Sequence, residues 1–300
     1  MNILVIIVTY NAMPWTDRCF ESLRLSTIKP DVFVVDNGST DGTQEYIHQN
    51  YPEVIFLQSR ENLGFGKANN IGLQYALDND YDYIYLLNQD AWVFPDTFER
   101  LVLISKQYPT YGILSPIQME ANMQRIDRNF CLGACNWESN KDILSDFYTQ
   151  NIKDVYPVKT VMAAHWLISI ECLRKVGLFS PSFPHYGEDD NFTNRASYWN
   201  YEIGIVPSAR AVHDREYRVA NRQQQWYMAY IGVINRWSSI KNTGLGLSFK
   251  RVILYLLKES ITKCSISPLN YIFKLVVNRR TIVLNRKKTL SESVFINGFI

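Results

Sequence analysis

The chain has 300 residues, of which 47% are hydrophobic and 20% charged, and its formal net charge is +2. This length suits one large domain, or one domain with a helical appendage, and the composition excludes an intrinsically disordered chain. The five cysteines are an odd number. Cys131 and Cys135 lack the second Cys or His pair of a zinc site, so we expect reduced thiols in a cytosolic protein.

The first predicted element is a strand at the start of the chain. Asn2–Val8 is apolar but short, and no basic leader or small-residue cleavage site accompanies it. It therefore predicts a buried strand and not a signal peptide. No apolar run reaches the roughly 18 residues that a membrane-spanning helix needs.

Strand and helix signals alternate through the first part of the chain. The predicted strands are Asn2–Val8, Asp31–Val35, Val54–Leu57 and Tyr83–Leu87. The predicted helices are Pro14–Leu25, Thr40–Asn50 and Phe65–Leu77. This alternation predicts an α/β fold in which helices flank a Rossmann-like, mostly parallel central sheet.

Polar side chains follow three of these strands at their carboxyl ends. In open α/β sheets, ligands bind in the crevice beyond that edge. We therefore expect the three polar clusters to form one binding site. Its residues are Thr9, Tyr10, Asn11, Asp36, Asn37, Asn88, Gln89 and Asp90.

After residue 110 the pattern is less regular. We expect irregular structure around a substrate cleft over Tyr111–Pro157, followed by a strand region over Val158–Ile170. The later predicted features are a helix over Asp190–Tyr198, a loop at His213, and helices over Tyr227–Trp237 and Phe249–Ile261.

The segment from Asp36 to Gly42 combines a carboxylate with a turn rich in Gly, Ser and Thr before a helix. A carboxylate at this place is able to accept hydrogen bonds from a nucleobase or a ribose, and a helix N-terminus favours phosphate. A well-capped junction between strand and helix uses the same residue types, so a structural role stays open.

Two further acidic positions suggest chemistry. Asp90, after a buried strand, is placed to hold Mg²⁺ or Mn²⁺ beside a diphosphate, and His213 is a candidate for the metal or the phosphate. Alternatively, Asp90 caps the turn before Pro95, and His213 has a structural role. In Glu188-Asp189-Asp190, repulsion raises carboxylate pKa values as a general base requires, although a helix N-terminus also attracts acids.

In order and spacing these stretches resemble the family 2 glycosyltransferases, especially the rhamnosyltransferase-like branch with the GT-A fold. The resemblance covers about residues 1 to 220. It is carried by Val8–Asn11, Val34–Gly42, Asn62–Asn70, Leu86–Asp90, Glu188–Phe192 with Arg195, and His213.

The resemblance implies an inverting transferase that uses a nucleoside-diphosphate sugar. It implies that Asp189 is the catalytic base, that Glu188 and Arg195 support the acceptor side, and that Asp90 holds the metal near His213. The implied nucleotide and donor-sugar contacts are Thr9, Tyr10, Asn11, Asp36 (on the base), Asn37, Ser39, Asn62, Lys67, Asn69 and Asn88.

Two departures from the family pattern bear on function. Its usual metal motif is Asp-x-Asp, and Asn88 replaces the first Asp, which removes one negative charge from the site. Arg236 and Trp237 match the end of the Gln-x-x-Arg-Trp motif of processive members, but Val233 stands at the Gln position. We therefore expect an enzyme that adds a single sugar.

The last part of the chain is strongly basic. From Lys241 to Lys288 there are eleven Lys or Arg residues and a single acid, Glu259. Basic amphipathic helices bind anionic membrane surfaces, so we expect peripheral contact with the cytoplasmic face of the cell membrane. Packing on the main domain or on a second subunit of a homodimer is the alternative. The expected division is a catalytic domain over 1–218 and a helical region over 219–300.

Two other functions compete with sugar transfer to a glycan or lipid-linked acceptor in cell-surface polysaccharide synthesis. A sugar-1-phosphate nucleotidyltransferase carries a Gly-rich, Arg-containing loop after its first strand, and the residues after Val8 do not match it. A degenerate transferase would bind sugar nucleotide or a partner without catalysis. Asn88 favours this reading, whereas the intact Glu188-Asp189 pair opposes it.

Overall fold

The structure, a computed structural model, describes residues 1–135, 140–215, 221–241 and 245–296. Within these residues helices flank one central sheet. The strands are β1 Ile3–Thr9, β2 Asp31–Asp36, β3 Ile55–Gln58, β4 Tyr83–Asn88, β5 Ala91–Val93, β6 Tyr111–Met119, β7 Tyr156–Val158, β8 His165–Ser169 and β9 Glu202–His213. The helices are α1 Thr16–Arg24, α2 Thr43–Asn50, α3 Phe65–Leu77, α4 Thr97–Gln107, α5 Arg128–Ala134, α6 Ile143–Thr149, α7 Ile170–Val176, α8 Glu188–Tyr198, α9 Arg222–Ser238, α10 Leu245–Thr262 and α11 Ser267–Lys288.

The first half of the sheet is the predicted α/β arrangement. Strands β3, β2, β1 and β4 lie side by side and parallel, and a helix follows each of β1, β2 and β3. Thr9 pairs with Asp36, and Val8 pairs with Asn88. The carboxyl ends of β1, β2 and β4 therefore meet at one edge, as the polar clusters predicted.

The second half makes the sheet mixed, so the expectation of a mostly parallel sheet holds for the first half alone. β8 is antiparallel to both β4 and β6, while β6 is parallel to β9. β5 and β7 are antiparallel to β9. A strand covered on both faces is a continuous apolar run in either direction, so its sequence does not reveal which way it runs.

Residues 111–157 correct a second expectation. The sequence predicts irregular structure there, but the structure contains the long strand β6, with eight of its nine residues buried, and the helices α5 and α6. Polar and special residues, among them Gly112 and Pro116, interrupt the apolar pattern of β6. Gly112 is there for close packing, since an added Cβ would lie 2.5 Å from Cys172 Sγ. His213 is likewise the last residue of β9 and not part of a loop.

The strands are apolar throughout because helices cover both faces of the sheet. In β1, Leu4 and Ile6 belong to one hydrophobic cluster, while Val5 and Ile7 belong to the other. Helix α3 packs closely on the first of these faces, since a Cβ on Gly72 would lie 2.7 Å from Ile6 Cγ2. These two layers hold the carboxyl edge of the sheet in place.

The basic region forms helices α10 and α11, and both pack against α9. A third hydrophobic cluster joins Ile234 and Trp237 of α9 to Leu275 and Ile282 of α11. Part of the apolar surface of this region is thus used inside the chain. The predicted boundary between residues 218 and 219 lies outside the described residues. Within the described residues, no helix combines the length and hydrophobicity needed to cross a membrane.

The segment after α11 returns to the main domain. Its Val294 carbonyl accepts a hydrogen bond from the main-chain N–H of Leu178, 2.9 Å away, and Ser293 N–H donates to the carbonyl of Lys175 at 3.0 Å. Gly177 has a positive φ of 80°, and a Cβ there would lie 2.0 Å from the Val294 oxygen. We call residues 291–296 the return segment. Its backbone passes so close to position 177 that glycine is required there.

Candidate active site

Asp36 is the centre of a buried hydrogen-bond network at the end of β2. Its Oδ2 accepts from the hydroxyls of Thr9 at 2.8 Å and Ser39 at 2.5 Å. Its Oδ1 accepts from the N–H groups of Gly38 and Ser39 and from the amide of Gln44 at 2.8 Å. A carboxylate has about four lone-pair positions. The five bonds already fill these positions, so a nucleobase N–H reaches Asp36 only by displacing one or more of its present donors.

The chain after β1 is tied to this network. Asn11 has a φ of 52°, and its main-chain N–H donates to Ser39 Oγ at 2.9 Å. The Asn11 side chain accepts from the N–H of Thr40, also at 2.9 Å. Tyr10 lies beside them with 48% of its surface exposed. The structure thus brings Thr9, Tyr10, Asn11, Asp36 and Ser39 together, with Tyr10 the most accessible of them.

The loop before α3 closes the same end of the sheet. Asn37 is buried, and its side-chain oxygen accepts from the N–H of Leu63 at 3.2 Å. The Asn62 side chain is exposed and accepts from Gly64 N–H at 2.9 Å. Lys67 is exposed on the first turn of α3. This cation is available to an anionic ligand, whereas Asn37 holds the loop.

Two residues that were predicted to contact a ligand have side chains enclosed in the protein. Asn69 is 2% exposed and donates to the carbonyl of Phe65 in its own helix. Arg195 is fully buried and donates to the carbonyls of Val176 and Leu178, both at 2.7 Å. These bonds join α7 to α8, which corrects the expectation that Arg195 supports the acceptor. In the structure it supports the helix that begins at Glu188.

Asp90 and His213 lie side by side because β5 pairs with β9, which sets Ala91 opposite His213. The Nε2 atom of His213 is 3.4 Å from Oδ1 of Asp90. Burial raises the pKa of Asp90, but the hydrogen bond and charge of His213, a backbone hydrogen bond and the charge of Arg215 together lower it by more, so the net shift is downward. The carboxylate is therefore ionised at neutral pH.

This pair fits a divalent cation. An imidazole nitrogen with a carboxylate oxygen suits Mn²⁺, and Mg²⁺ commonly takes one or two carboxylates together with substrate phosphates. The 3.4 Å between the two atoms allows both to bind one ion. Among the described residues, no group of three or more His, Cys, Asp or Glu side chains is arranged to hold a metal. A diphosphate and water would supply the other ligands.

Glu188 and Asp189 form the first turn of α8, after Gly187 with its φ of 87°. Glu188 is buried, and its Oε2 has no hydrogen-bond partner among the described residues. Burial and repulsion by Asp189 and Asp190 raise the pKa of Glu188 to about 7. Burial and the charge of Asp190 raise the pKa of Asp189, which is half-buried, to about 6. Both values suit proton transfer near neutral pH.

A short segment before β8 connects this acidic turn to the Asn88–Asp90 strand end. The hydroxyl of Thr160 donates to the Asp190 carboxylate at 3.1 Å. The carbonyl of Ala164 accepts from the N–H of Asn88, also at 3.1 Å. Residues 160–164 thus contact both the first turn of α8 and the end of β4.

A cleft of about 890 Å³ opens beside the end of β4 and the pair of Asp90 and His213. Its lining includes Asn88, Asp90 and His213, together with side chains outside the predicted site that lie on α5, on α9 and on the loops before α1, after β6, before α8 and after β9. These are Trp15, Glu120, Asn122, Asp127, Asn129, His185, Tyr186, Asp214, Arg215, Gln224, Tyr227 and Met228. One signal was available. Asn221 and Gln224 form a reciprocal capping box, whose Asn-x-x-Gln spacing marks the start of α9.

Comparison with known proteins gives a consistent result. The family model described as "Glycosyl transferase family 2" matches residues 4–168, more than half of the chain. The N-acetylglucosaminyl-diphospho-decaprenol L-rhamnosyltransferase of Mycobacterium tuberculosis is 26% identical over 231 residues, which cover 70% of this chain and 75% of that protein. A low-salt glycan biosynthesis hexosyltransferase of Haloferax volcanii is 25% identical over 245 residues, or 79% of this chain and 74% of the relative.

Solved structures agree on the fold. S. aureus TarS aligns over 87% of this chain and 72% of its own with a TM-score of 0.55 and 15% identity. GalNAc-T7, solved with UDP, GalNAc and Mn²⁺, aligns over 81% of this chain and 52% of its own with a TM-score of 0.55 and 14% identity. Both are glycosyltransferases with the GT-A fold.

Proposed function

The chain belongs to glycosyl transferase family 2, and from this premise we propose an inverting enzyme that uses a nucleoside-diphosphate sugar. The enzyme moves a hexosyl or deoxyhexosyl group, such as rhamnose, to a hydroxyl of a lipid-linked glycan precursor. The rhamnosyl group and the lipid carrier follow the name of the mycobacterial relative. We place the reaction at the cytoplasmic face of the cell membrane, in cell-surface polysaccharide synthesis.

The segment of residues 160–164 is the observation that carries the proposal. It joins the acidic turn of α8, through Asp190, to the strand end that bears Asn88 and Asp90. In our proposal Asp189 takes the proton of the acceptor hydroxyl, and the acceptor oxygen forms its bond to the anomeric carbon. The bond from that carbon to the diphosphate breaks on the opposite face, and the diphosphate leaves with the electron pair. The configuration at the anomeric carbon is thereby inverted.

The other residues bind and orient in this scheme. Asp90 and His213 would hold Mg²⁺ or Mn²⁺, which stabilises negative charge on a leaving diphosphate. Lys67 and Tyr10 are exposed at the nucleotide end and are proposed to contact the donor, with Asp36 and Ser39 shaping the turn beneath them. Glu188 is proposed to assist on the acceptor side. The catalytic unit is proposed to be residues 1–218, with residues 219–300 as the helical region.

A thermal-shift screen against UDP-, GDP-, dTDP- and CMP-sugars, with and without Mn²⁺, tests donor binding. We expect one nucleotide class to raise the Tm, and Mn²⁺ to increase that rise. The variants Asp90→Asn and His213→Asn should keep their own Tm but lose the increase that Mn²⁺ adds. Asp80→Asn, at an exposed position far from the cleft, is the matched control.

Turnover separates catalysis from binding alone. With the stabilising donor and a lipid-linked acceptor, we expect release of nucleoside diphosphate together with a glycosylated product. Donor binding without release of nucleoside diphosphate, even with metal present, would favour the degenerate transferase that Asn88 suggests. Absence of any Tm shift would contradict the assignment of the nucleotide site.

A further inference from the structure

Helices α10 and α11 bury one face against α9 and expose the other. Leu256 of α10 is fully buried, as are Leu275 and Ile282 of α11 to within 1%. These buried positions on α11 are seven residues apart and so share one side of the helix. Because both helices turn their buried sides to α9, their opposite sides form a surface that faces away from the catalytic domain.

That outer surface is rich in exposed aliphatic and aromatic side chains. Phe273 and Val277 of α11 are 70% and 57% exposed, and Leu254 and Ile261 of α10 are 66% and 77% exposed. Helical spacing places each pair on one face, opposite the buried positions. We define the outer surface by its exposed apolar residues, which are Leu254, Leu257, Ile261, Ile266, Leu269, Phe273, Val276, Val277 and Leu284.

Basic residues lie among these apolar side chains. Lys250 and Lys258 are four residues on either side of Leu254, and Arg280 and Lys287 continue the face that begins at Phe273. Over residues 249–290 the sequence has ten Lys or Arg against the single acid Glu259. The carboxylate of Glu259 accepts a hydrogen bond from the indole of Trp226 on α9. Positive charge therefore dominates the outer surface.

We propose that the outer surface docks on an anionic lipid bilayer, with its apolar side chains in the interface and its cations on lipid phosphates. Exposed apolar residues interleaved with Lys and Arg are the features that bind helices in the interfacial plane. A second copy of the chain is a poorer partner, because it would place the basic surface against itself.

Docking would bring the cleft to the membrane. Helix α9 contributes Tyr227 and Met228 to the cleft wall and also packs on both α10 and α11. The ring of Tyr227 also lies 6.0 Å from that of Tyr271 in α11. Because α9 joins the cleft to α10 and α11, docking of these two helices would hold the cleft at a fixed height above the lipid. The proposal rests on the proposed function for the membrane and names the surface of the chain that binds it, whereas lipid binding itself does not depend on catalysis.

Vesicle co-sedimentation of the full chain tests the docking. We expect binding to phosphatidylcholine vesicles that contain phosphatidylglycerol, weaker binding as salt rises, and little binding to phosphatidylcholine alone. Arg280→Gln and Lys287→Gln should each weaken binding roughly fivefold. The double variant Leu254→Asp, Phe273→Asp should weaken it more. Leu103→Asp, at a leucine 64% exposed on α4, is the matched control and should bind like the parent.

Three results would overturn the proposal. These are equal binding to neutral and anionic vesicles, unchanged binding of the double variant, and a dimer in light scattering that the double variant converts to a monomer. The donor-induced Tm shift is measured on the same variants. If that shift persists while vesicle binding is lost, docking is separate from donor binding. If the shift is absent in the parent while vesicle binding remains, the proposed function fails and the docking surface stands.

Discussion

Asp36 and Asp189 are both carboxylates at the carboxyl side of the sheet, yet their surroundings are opposite. Asp36 accepts five hydrogen bonds from fixed neighbours and is fully buried. Asp189 sits in a like-charged turn where burial and Asp190 raise its pKa to about 6, beside a Glu188 oxygen without a partner among the described residues. A carboxylate saturated with hydrogen bonds builds a binding surface, whereas a carboxylate with a raised pKa is able to take a proton.

The largest effect that tests this contrast is expected at Asp189. Asp189→Asn removes the proposed base while keeping the size of the side chain, so kcat should fall by about a hundredfold to ten-thousandfold. Donor-induced Tm shifts should be unchanged. Asp190→Asn, on the exposed neighbour, is the control and should retain most activity. Near-normal turnover by the Asp189 variant would remove it from the mechanism.

Asp36 should instead matter for folding. Asp36→Ala leaves the hydroxyls of Thr9 and Ser39 and two main-chain N–H groups without their acceptor, so the free energy of unfolding should fall by about 3 kcal/mol. Urea denaturation measures this change. Asp80→Ala, at an exposed aspartate, should change the same free energy by less than about 0.5 kcal/mol. Equal stability of the two variants would contradict the structural role of Asp36.

Glu188 should behave in the opposite way, because its folded-state pKa of about 7 lies above the ordinary glutamate value of 4.5. A raised pKa favours folding while the group is protonated, and that advantage is lost as pH rises through about 7. Glu188→Gln should therefore increase the free energy of unfolding at pH 8 by about 2 kcal/mol and change it little at pH 4. Thermal melts at the two pH values measure the difference. A variant that is destabilised at pH 8 would argue against the raised pKa.

The smallest expected effect is in the pH dependence of catalysis. The proposed base works when deprotonated, and the pKa of Asp189 is about 6. The value of kcat/KM should therefore fall about tenfold for each pH unit below that point and level off above about pH 7. A profile of log kcat/KM against pH measures this slope. A flat profile from about pH 5 to pH 8 would assign the proton transfer to another group.

The first half of the fold follows closely from the sequence, and the second half does not. Helix α3 has the bounds that its hydrophobic pattern predicts, and the ends of β1, β2 and β4 meet as their polar residues suggested. β6 was missed because Gly112 and Pro116 interrupt its apolar run while long-range packing covers both of its faces.

The candidate site divides in a similar way. Asp90 and His213 were predicted as a pair and lie together, although the pairing of β5 with β9 that joins them leaves no local signal. The contact between Thr160 and Asp190 joins residues thirty positions apart and also leaves no local signal. Arg195 illustrates the opposite error, since a buried arginine bonded to carbonyls and a ligand-binding arginine look the same in sequence.

The return segment has a consequence for how the protein is made. Val294 bonds to Leu178, and the ring of Phe295 lies 5.9 Å from the guanidinium of Arg195, the side chain that ties α7 to α8. Residues near 295 leave the ribosome long after the sheet has been synthesised, and chains begin folding from the N-terminus. The nucleotide end of the sheet is therefore able to form early, while the acidic turn of α8 receives this support only after residues 291–296 have been synthesised. Nascent chains would acquire donor binding before transfer activity.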